Sequence, residues 1–500
     1  MTSTYYKAFA PRVGLAYSPN ASGGFLGKLF GNNGATSIRA GWGLFYNPME
    51  ELVLAQFGAE PPFGGSSSLF NTFFNTPFVY QAGGSPAPNP FNGILTPTPG
   101  QPVDYSLFRP LLLYGEFEPH LRTQYTSQYN LTIQRQLTKD MMLQLGYVGS
   151  EGHRLLASHD INPSSPQTCL DMITLYNLNP NNVTSFGTPT QCGPFLEDTQ
   201  WSVTVPSGFQ FHMPSGQVLN GSGQTLQFVG LRPYSSPNCN PLTGTGCPTD
   251  GVPVFSDIFA EDTIANSSYN AFEAMLEKRF SHGLQFQASY TLSKSLDDGS
   301  TFEETLDPFN YAASRALSLF NSHQRFVVSY DWELPIPEHK GFAGKLLNDW
   351  AISGITQFQS GFPIRLDTEN DNELIASIFF LGTEAPQQVA PFQKLNPKTN
   401  GAFWFNPNGF QDPQLGHFNI GTQRSICCGP GLEDWDFSVH KKIALTEDRY
   451  FQFRAEIFNI FNHTNFYNPD GHFSDGPTLF GKITQAQDPR LVQFALKFYF

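Results

Sequence analysis

Residues 491–500 read LVQFALKFYF. Side chains along an extended strand alternate between its two faces. Val492, Phe494, Leu496, Phe498 and Phe500 therefore share one face, and Gln493, Ala495, Lys497 and Tyr499 share the other. This is period-two patterning with an almost unbroken apolar side. A soluble sandwich would bury that side in its core. A membrane-spanning barrel would turn it to lipid and keep the polar side in the lumen.

Composition separates the two. Charged residues make up 14% of the 500-residue chain, against roughly 25% in an ordinary soluble domain. Aromatics reach 15%, with 48 Phe and 19 Tyr, yet mean hydropathy stays negative. Lipid-facing rings alternating with polar lumen residues give that mixture. No run approaches the ~18 apolar residues of a membrane helix, which leaves barrel strands open because their hydropathy signal is weak. The net charge of -14 argues against a nucleic-acid partner.

Working back from residue 500, the alternation recurs. Phe451, Phe453, Ala455 and Ile457 oppose Gln452, Arg454 and Glu456, and Trp435, Phe437 and Val439 oppose Asp436, Ser438 and His440. A less regular segment covers 352–358. Phe326, Val328, Tyr330 and Trp332 oppose Arg325, Ser329 and Asp331. Leu284, Phe286, Ala288, Tyr290 and Leu292 oppose Gln285, Gln287, Ser289, Thr291 and Ser293. Phe272, Ala274 and Leu276 oppose Glu273, Glu277 and Arg279. Further segments centre on Leu145, Leu131, Trp42 and Leu15. That predicts 11 strands of about 9–12 residues, the length a tilted strand needs to cross a bilayer.

Connections alternate as well. Tight turns are expected at 138–140, 281–283 and 446–448, and two longer turns at 19–35 and 335–348. Large insertions at 48–122, 151–265, 297–322, 367–433 and 463–489 lie between them. Short turns on the periplasmic side and long extracellular loops are the rhythm of an outer-membrane barrel. Tyr46, Tyr147, Tyr290 and Trp435 then fall toward the outer interface, and Trp332, Trp350, Phe498 and Phe500 toward the inner one, as two aromatic girdles. Plain aromatic enrichment in strands is the alternative. Single-chain bacterial barrels have an even strand count, and large transporter barrels have 22 strands. Eleven is half of that. The amino terminus carries no secretory signal pattern, so the expectation is the C-terminal half of a larger exported barrel.

Several segments resemble one family, the Oar-like branch of TonB-dependent outer-membrane transporters. They are APRVGLAYSP at 10–19, TSIRAGWGLFYNP at 36–48, SQYNLTIQRQL at 127–137 and LQLGYVGSEGHRL at 143–155. SSYNAFEAMLEKRFSHGLQFQASYTLSKSLD at 267–297, NSHQRFVVSYDWELP at 321–335 and DWAISGITQFQSGFPI at 349–364 continue the match. GPGLEDWDFSVHKKI at 429–443 and FRAEIFNIFNHTNF at 453–466 complete it. The match falls on strands and turns, not on the loops. It implies that residues 1–500 are one antiparallel transmembrane β-barrel portion, all-β, in the outer membrane of a Gram-negative bacterium. The C-terminal residues Phe494, Leu496, Phe498 and Phe500 resemble the signal read by the barrel-assembly machinery. The family's plug, TonB box and N-terminal β-sandwich have no counterpart in these residues, so the resemblance implies no energised transport by this portion alone.

Sites for chemistry are sparse. No Walker loop, Rossmann fingerprint, nucleophile elbow or HExxH motif occurs, and the 11 His show no ligand spacing. No enzyme activity and no cofactor are expected. Asp367, Glu369, Asp371 and Glu373 alternate in DTENDNE and could converge on Ca²⁺, but they lack the Gly and distal Glu of an EF-hand, and a solvated loop rim is the favoured reading. The six Cys all lie in predicted outer loops. Cys169 with Cys192 and Cys239 with Cys247 is the expected pairing in an oxidising compartment, although four Cys allow three connectivities. Adjacent Cys427 and Cys428 would bond only with strain. The Pro-rich piece at 83–102 reads as an irregular loop. Arg279, Glu273, Glu277, Arg325, Arg454, Glu456 and Lys497 face the lumen as a polar network or a plug contact.

Three functions fit. The first is a transporter barrel whose loops capture an unidentified extracellular ligand. The second is a structural or adhesive surface barrel. The third is a soluble secreted β-sandwich that binds glycans.

Overall fold

The computed structural model describes residues 6–20, 23–31, 34–47, 72–86, 108–117, 121–185, 192, 196–300, 307–369, 372–374, 384–417, 423–446 and 448–500. Its frame is one path of eleven antiparallel strands, each hydrogen-bonded to the next in chain order. They are β1 (Arg12–Tyr17), β2 (Thr36–Asn47), β3 (Gln124–Gln136), β4 (Met141–Asp160), β5 (Phe255–Ser281), β6 (Leu284–Asp297), β7 (Gln324–Glu333), β8 (Trp350–Gln359), β9 (Leu432–Ala444), β10 (Tyr450–Phe458) and β11 (Leu491–Tyr499). All eleven predicted strands are present. Among the described residues, β1 and β11 each pair along one edge only.

The register carries one apolar face through the whole path. Ala40 faces Leu131, Leu131 faces Tyr147, Tyr147 faces Phe272 and Phe272 faces Leu292. Further on, Tyr290 faces Phe326, Phe326 faces Phe358, Ile352 faces Val439, Val439 faces Ala455 and Ala455 faces Phe494. A one-residue slip in any pairing would move that strand's apolar set to the other side. The opposite face pairs Thr291 with Arg325, Gln287 with Ser329, Ser438 with Glu456 and Gln452 with Lys497. Phe494 is 69% exposed and Leu496 67%. Soluble monomers rarely expose contiguous apolar patches beyond a few hundred Å², so this face is matched to lipid rather than water.

The turns form for local reasons. His282 and Gly283 join β5 to β6 with φ of 52° and 76°, the left-handed pair that a two-residue type I′ hairpin requires. Thr138 donates to Asp140 Oδ1 at 2.6 Å across the β3–β4 turn. Of the third tight turn, Glu447 lies outside the described residues. The two longer connections hold short helices, α1 (Gly24–Phe30) between β1 and β2 and α3 (Gly341–Leu347) between β7 and β8.

The uniform strand length of 9–12 residues does not hold. β4 runs for 20 residues and β5 for 27, so β4 continues past Glu151 and β5 starts before Ala265, the expected ends of the large insertion. At ~3.3 Å per residue β5 extends on the order of 90 Å, well beyond a ~30 Å hydrocarbon core. Its register with β4 shifts between Asp262 and Ala265 and again before Ser267. Beyond those irregularities Ala157, Ser158, Asp160, Asp257, Ile258, Phe259 and Glu261 are buried. The lipid pattern stops where the membrane stops. Strand pairing continues because other loops cover both faces of the ribbon.

Candidate functional site: a folded cap on the long-loop side

The long connections fold rather than wander. Between β4 and β5, helix α2 (Pro166–Leu178) starts at Ser165, whose side chain accepts from Thr168 N, with Pro166 in the first turn where its missing N–H costs nothing. A three-stranded sheet of Val183–Ser185, Gln200–Val205 and Gln224–Val229 packs on it. Met172, Leu175, Trp201, Val203, Phe211 and Leu226 form its fully buried core. The Cys169–Cys192 disulfide ties α2 to the segment between the first and second strands of that sheet, and Cys239 bonds Cys247. Cys169 thus sits in a helix, not in an irregular loop. Cys427 and Cys428 are bonded to each other.

This unit interlocks with its neighbours. Leu374, from the β8–β9 connection, packs into its core. A second core joins Ile364, Leu366, Phe405 and Ile426 of that same connection to Phe480 and Ile483 of the β10–β11 connection. Buried Arg424 pins the β8–β9 connection to the β6–β7 side. It pairs with Asp297, and it donates to Ser300 Oγ at 3.1 Å and to the Ser314 carbonyl at 3.2 Å. Four connections therefore make one cap.

At the root of the cap Arg232 is fully buried among four carboxylates. Its Nη1 lies 2.7 Å from Asp257 Oδ1 and 3.4 Å from Asp160 Oδ2, its Nη2 3.7 Å from Glu197 Oε1, and its Nε 3.5 Å from Asp198 Oδ1. Asp160 sits at the end of β4 and Asp257 near the start of β5. One guanidinium cannot balance four ionised carboxylates away from water. Burial, partly offset by Arg232, pushes Asp257 up to about 8, and the neighbouring Asp160 charge adds to the rise. Asp160 is also raised by burial. The pair holds a proton at neutral pH. Sequence reading missed this cluster because its members are far apart and follow no period. One signal was available: Arg232 is the single Lys or Arg between Arg154 and Lys278.

The acidic run at 367–373 is a solvated rim only in part: Glu369 is exposed, while Asp367 is half-buried and Glu373 buried. Asp367 pairs with His472 and lies 3.4 Å from Arg365. Burial raises its pKa. Glu373 is buried, its amide 3.4 Å from Glu384 Oε1. Asp371 lies outside the described residues, as does most of the Pro-rich piece at 83–102. Among the described residues no group of three or more His, Cys, Asp or Glu is placed to hold a metal.

The predicted aromatics take ordered positions. Tyr46 packs on Tyr125 at 5.9 Å, and Tyr147 donates to Asn270 Oδ1 at 2.8 Å. Tyr290 lies between Ala274 and Phe326. Trp435 meets Phe358 and Phe461 edge-on, each at 5.1 Å, at the long-loop end of β9. At the tight-turn end Trp332 faces Leu284 and Ile352, and the Trp350 indole donates to the Leu346 carbonyl at 2.9 Å. Phe494 stacks on Phe453 at 6.1 Å, Phe498 meets Phe451 at 4.9 Å, and Phe500 follows Phe498 at 5.8 Å. Leu496 faces Phe453. On the polar face Arg454 and Glu456 pair at 3.0 Å.

The sequence matches the family model described as "Outer membrane beta barrel domain" over residues 1–493. No curated protein matches it. Among solved structures it is similar to the outer membrane transporter YddB from Escherichia coli at 9% identity and TM-score 0.39, covering 93% of this chain and 38% of that one. It is similar to the ferripyoverdine receptor of Pseudomonas aeruginosa at 10% identity and TM-score 0.36, covering 98% and 33%. It is also similar to the ferric enterobactin receptor of Pseudomonas aeruginosa at 8% identity and TM-score 0.39, covering 98% and 40%. The chain thus spans 33% to 40% of the length of these structures.

Proposed function

The chain belongs to the outer membrane beta barrel domain family, and from that premise we propose that its eleven strands are a contiguous arc of a roughly 22-stranded, Oar-like TonB-dependent receptor barrel. The cap faces outward and takes an extracellular ligand. The tight turns face the periplasm, and the plug and TonB box that couple energy belong to the rest of the receptor. Phe494, Leu496, Phe498 and Phe500 present β11 to the barrel-assembly machinery. The observation that carries this reading is the open arc: one apolar face kept in register over eleven strands, with β1 and β11 each paired along one edge among the described residues. An unpaired backbone edge in hydrocarbon costs several kcal/mol per group, so further strands are required to complete it. The family membership sets aside the soluble sandwich. The folded, disulfide-tied cap is equally suited to a surface barrel that binds without transporting.

The test is outer-membrane fractionation with heat-modifiable gel migration. The chain alone should aggregate or stay protease-sensitive, and it should become heat-modifiable when complementary barrel strands are supplied. A well-behaved, heat-modifiable monomer of residues 1–500 in detergent would contradict the arc.

A further inference from the structure

The two helical turns share a sequence: GFLGKLF in α1 and GFAGKLL in α3. They share geometry as well. Each begins on a glycine in the left-handed region, Gly24 at φ 65° and Gly341 at φ 67°. Each is held by a cation two strands onward in the sheet. Arg135 of β3 reaches the Phe30 carbonyl at the end of α1 and Thr36 Oγ1 at 2.9 Å. Lys441 of β9 reaches the Asn348 carbonyl just past α3. A cation at a helix C-terminus meets the negative end of the helix dipole. Arg135 lies on the same face as Ile133, and Lys441 on the same face as Val439, so both anchors stand at the end of the apolar face.

Each helix leaves the aromatic at its second position uncovered. Phe25 is 77% exposed and Phe342 83%. On α3, Phe342 and Leu346 are four residues apart and share one face, and Leu346 is also exposed. Trp350, on the apolar face of β8, bonds to the Leu346 carbonyl, which makes that helix face continuous with the strand surface beside it. Exposed Lys345 stands next to the apolar pair.

We infer that α1 and α3 are interfacial anchors that seat Phe25, Phe342 and Leu346 in the phospholipid leaflet at the tight-turn rim of the barrel, with Lys345 toward the headgroup phosphates. This rests on the barrel reading above. Two features select a bilayer over a protein. The apolar helix face continues a surface that already meets lipid. The same device also recurs six strand positions away, on the order of 30 Å around the sheet at ~4.8 Å per strand. A bilayer surrounds the barrel and meets both sites alike, whereas a single docked protein meets one. Short amphipathic helices with aromatic anchors and basic flanks suit that boundary.

The test uses the full chain assembled with Cys-free complementary barrel strands in phosphatidylethanolamine–phosphatidylglycerol liposomes. The six native Cys are paired among themselves, so Phe25→Cys or Phe342→Cys each gives one thiol for a nitrobenzoxadiazole label. Leu131→Cys on the strand face and Leu242→Cys in the cap serve as references. With a shallow doxyl-lipid quencher, labels at 25 and 342 should be quenched several-fold more than at 242 and about as strongly as at 131. Quenching at 25 and 342 no greater than at 242, while 131 is quenched, would overturn the anchors and leave the barrel standing. Labels at 25 and 342 shielded from both lipid quencher and aqueous iodide would mean a protein occupant, and would also overturn them. No quenching at 131 would remove the barrel reading itself.

Discussion

Replacing Asp257 with Asn should make the cap's stability independent of pH in the range where the native cap weakens. An unfolded aspartate releases its proton near pH 3.9. Folded Asp257 holds its proton up to about 8 because it is buried beside Asp160. Between those values the folded cap binds a proton that the unfolded cap does not, so raising pH lowers stability. The slope for one such group is ~1.4 kcal/mol per pH unit. Flattening near pH 8 and sharing of the titration with Asp160 leave a loss on the order of 2 kcal/mol from pH 6 to pH 8, about 30-fold in an opening equilibrium. The assay is hydrogen exchange of amides at 158–162 and 256–260, corrected for intrinsic rates, with amides at 286–290 of β6 as an internal reference. Native protection should fall over this range at the cap amides and not at the reference, and Asp257→Asn should flatten it. Constant or rising protection in the native protein, or an unchanged slope in Asp257→Asn, would refute the shared-proton reasoning.

Arg232→Met removes the cation and leaves four carboxylates clustered, three of them buried. It should destabilise the cap by about 3–5 kcal/mol, seen as protease cleavage between 161 and 254 with the strands intact. Removing the Cys169–Cys192 bond, whose partners are 23 positions apart, should cost about 3 kcal/mol on a loop-entropy basis, measured as exchange of α2 amides with and without reductant. Gly354→Leu should impair barrel assembly. A Cβ at that position would stand 2.7 Å from both the Tyr330 hydroxyl and the Asp436 carbonyl, and heat-modifiable migration would report the loss.

The frame was legible because lipid imposes a rule that sequence must obey residue by residue. Leu284 to Leu292 alternate with Gln285 to Ser293, and Phe326 to Trp332 with their polar neighbours, since one face meets hydrocarbon and the other water. The cap obeys no such rule. Trp201, Phe211 and Leu226 meet in a small globular core whose members come from short, irregularly spaced elements, so no period marks them. Asp160 and Asp257 lie 97 positions apart and meet because β4 and β5 stay paired beyond the bilayer, where their apolar alternation has already ended. The acidic run misled for a related reason. Its composition looks solvated, but His472 reaches Asp367 from the β10–β11 connection, and Arg365 lies beside it two residues earlier in the chain. The paired helices were read as plain turns because seven residues are too few to establish a helical period.

The most direct measurement of the central claim is a spin-label accessibility scan of residues 284–293 on β6, a strand paired on both sides, in the membrane-inserted protein. Oxygen, which partitions into lipid, should peak at positions 284, 286, 288, 290 and 292. A charged aqueous nickel reagent should peak at 285, 287, 289, 291 and 293. Even-numbered positions closed to both reagents, as in a sandwich core, or open to the nickel reagent would contradict a lipid-facing barrel wall.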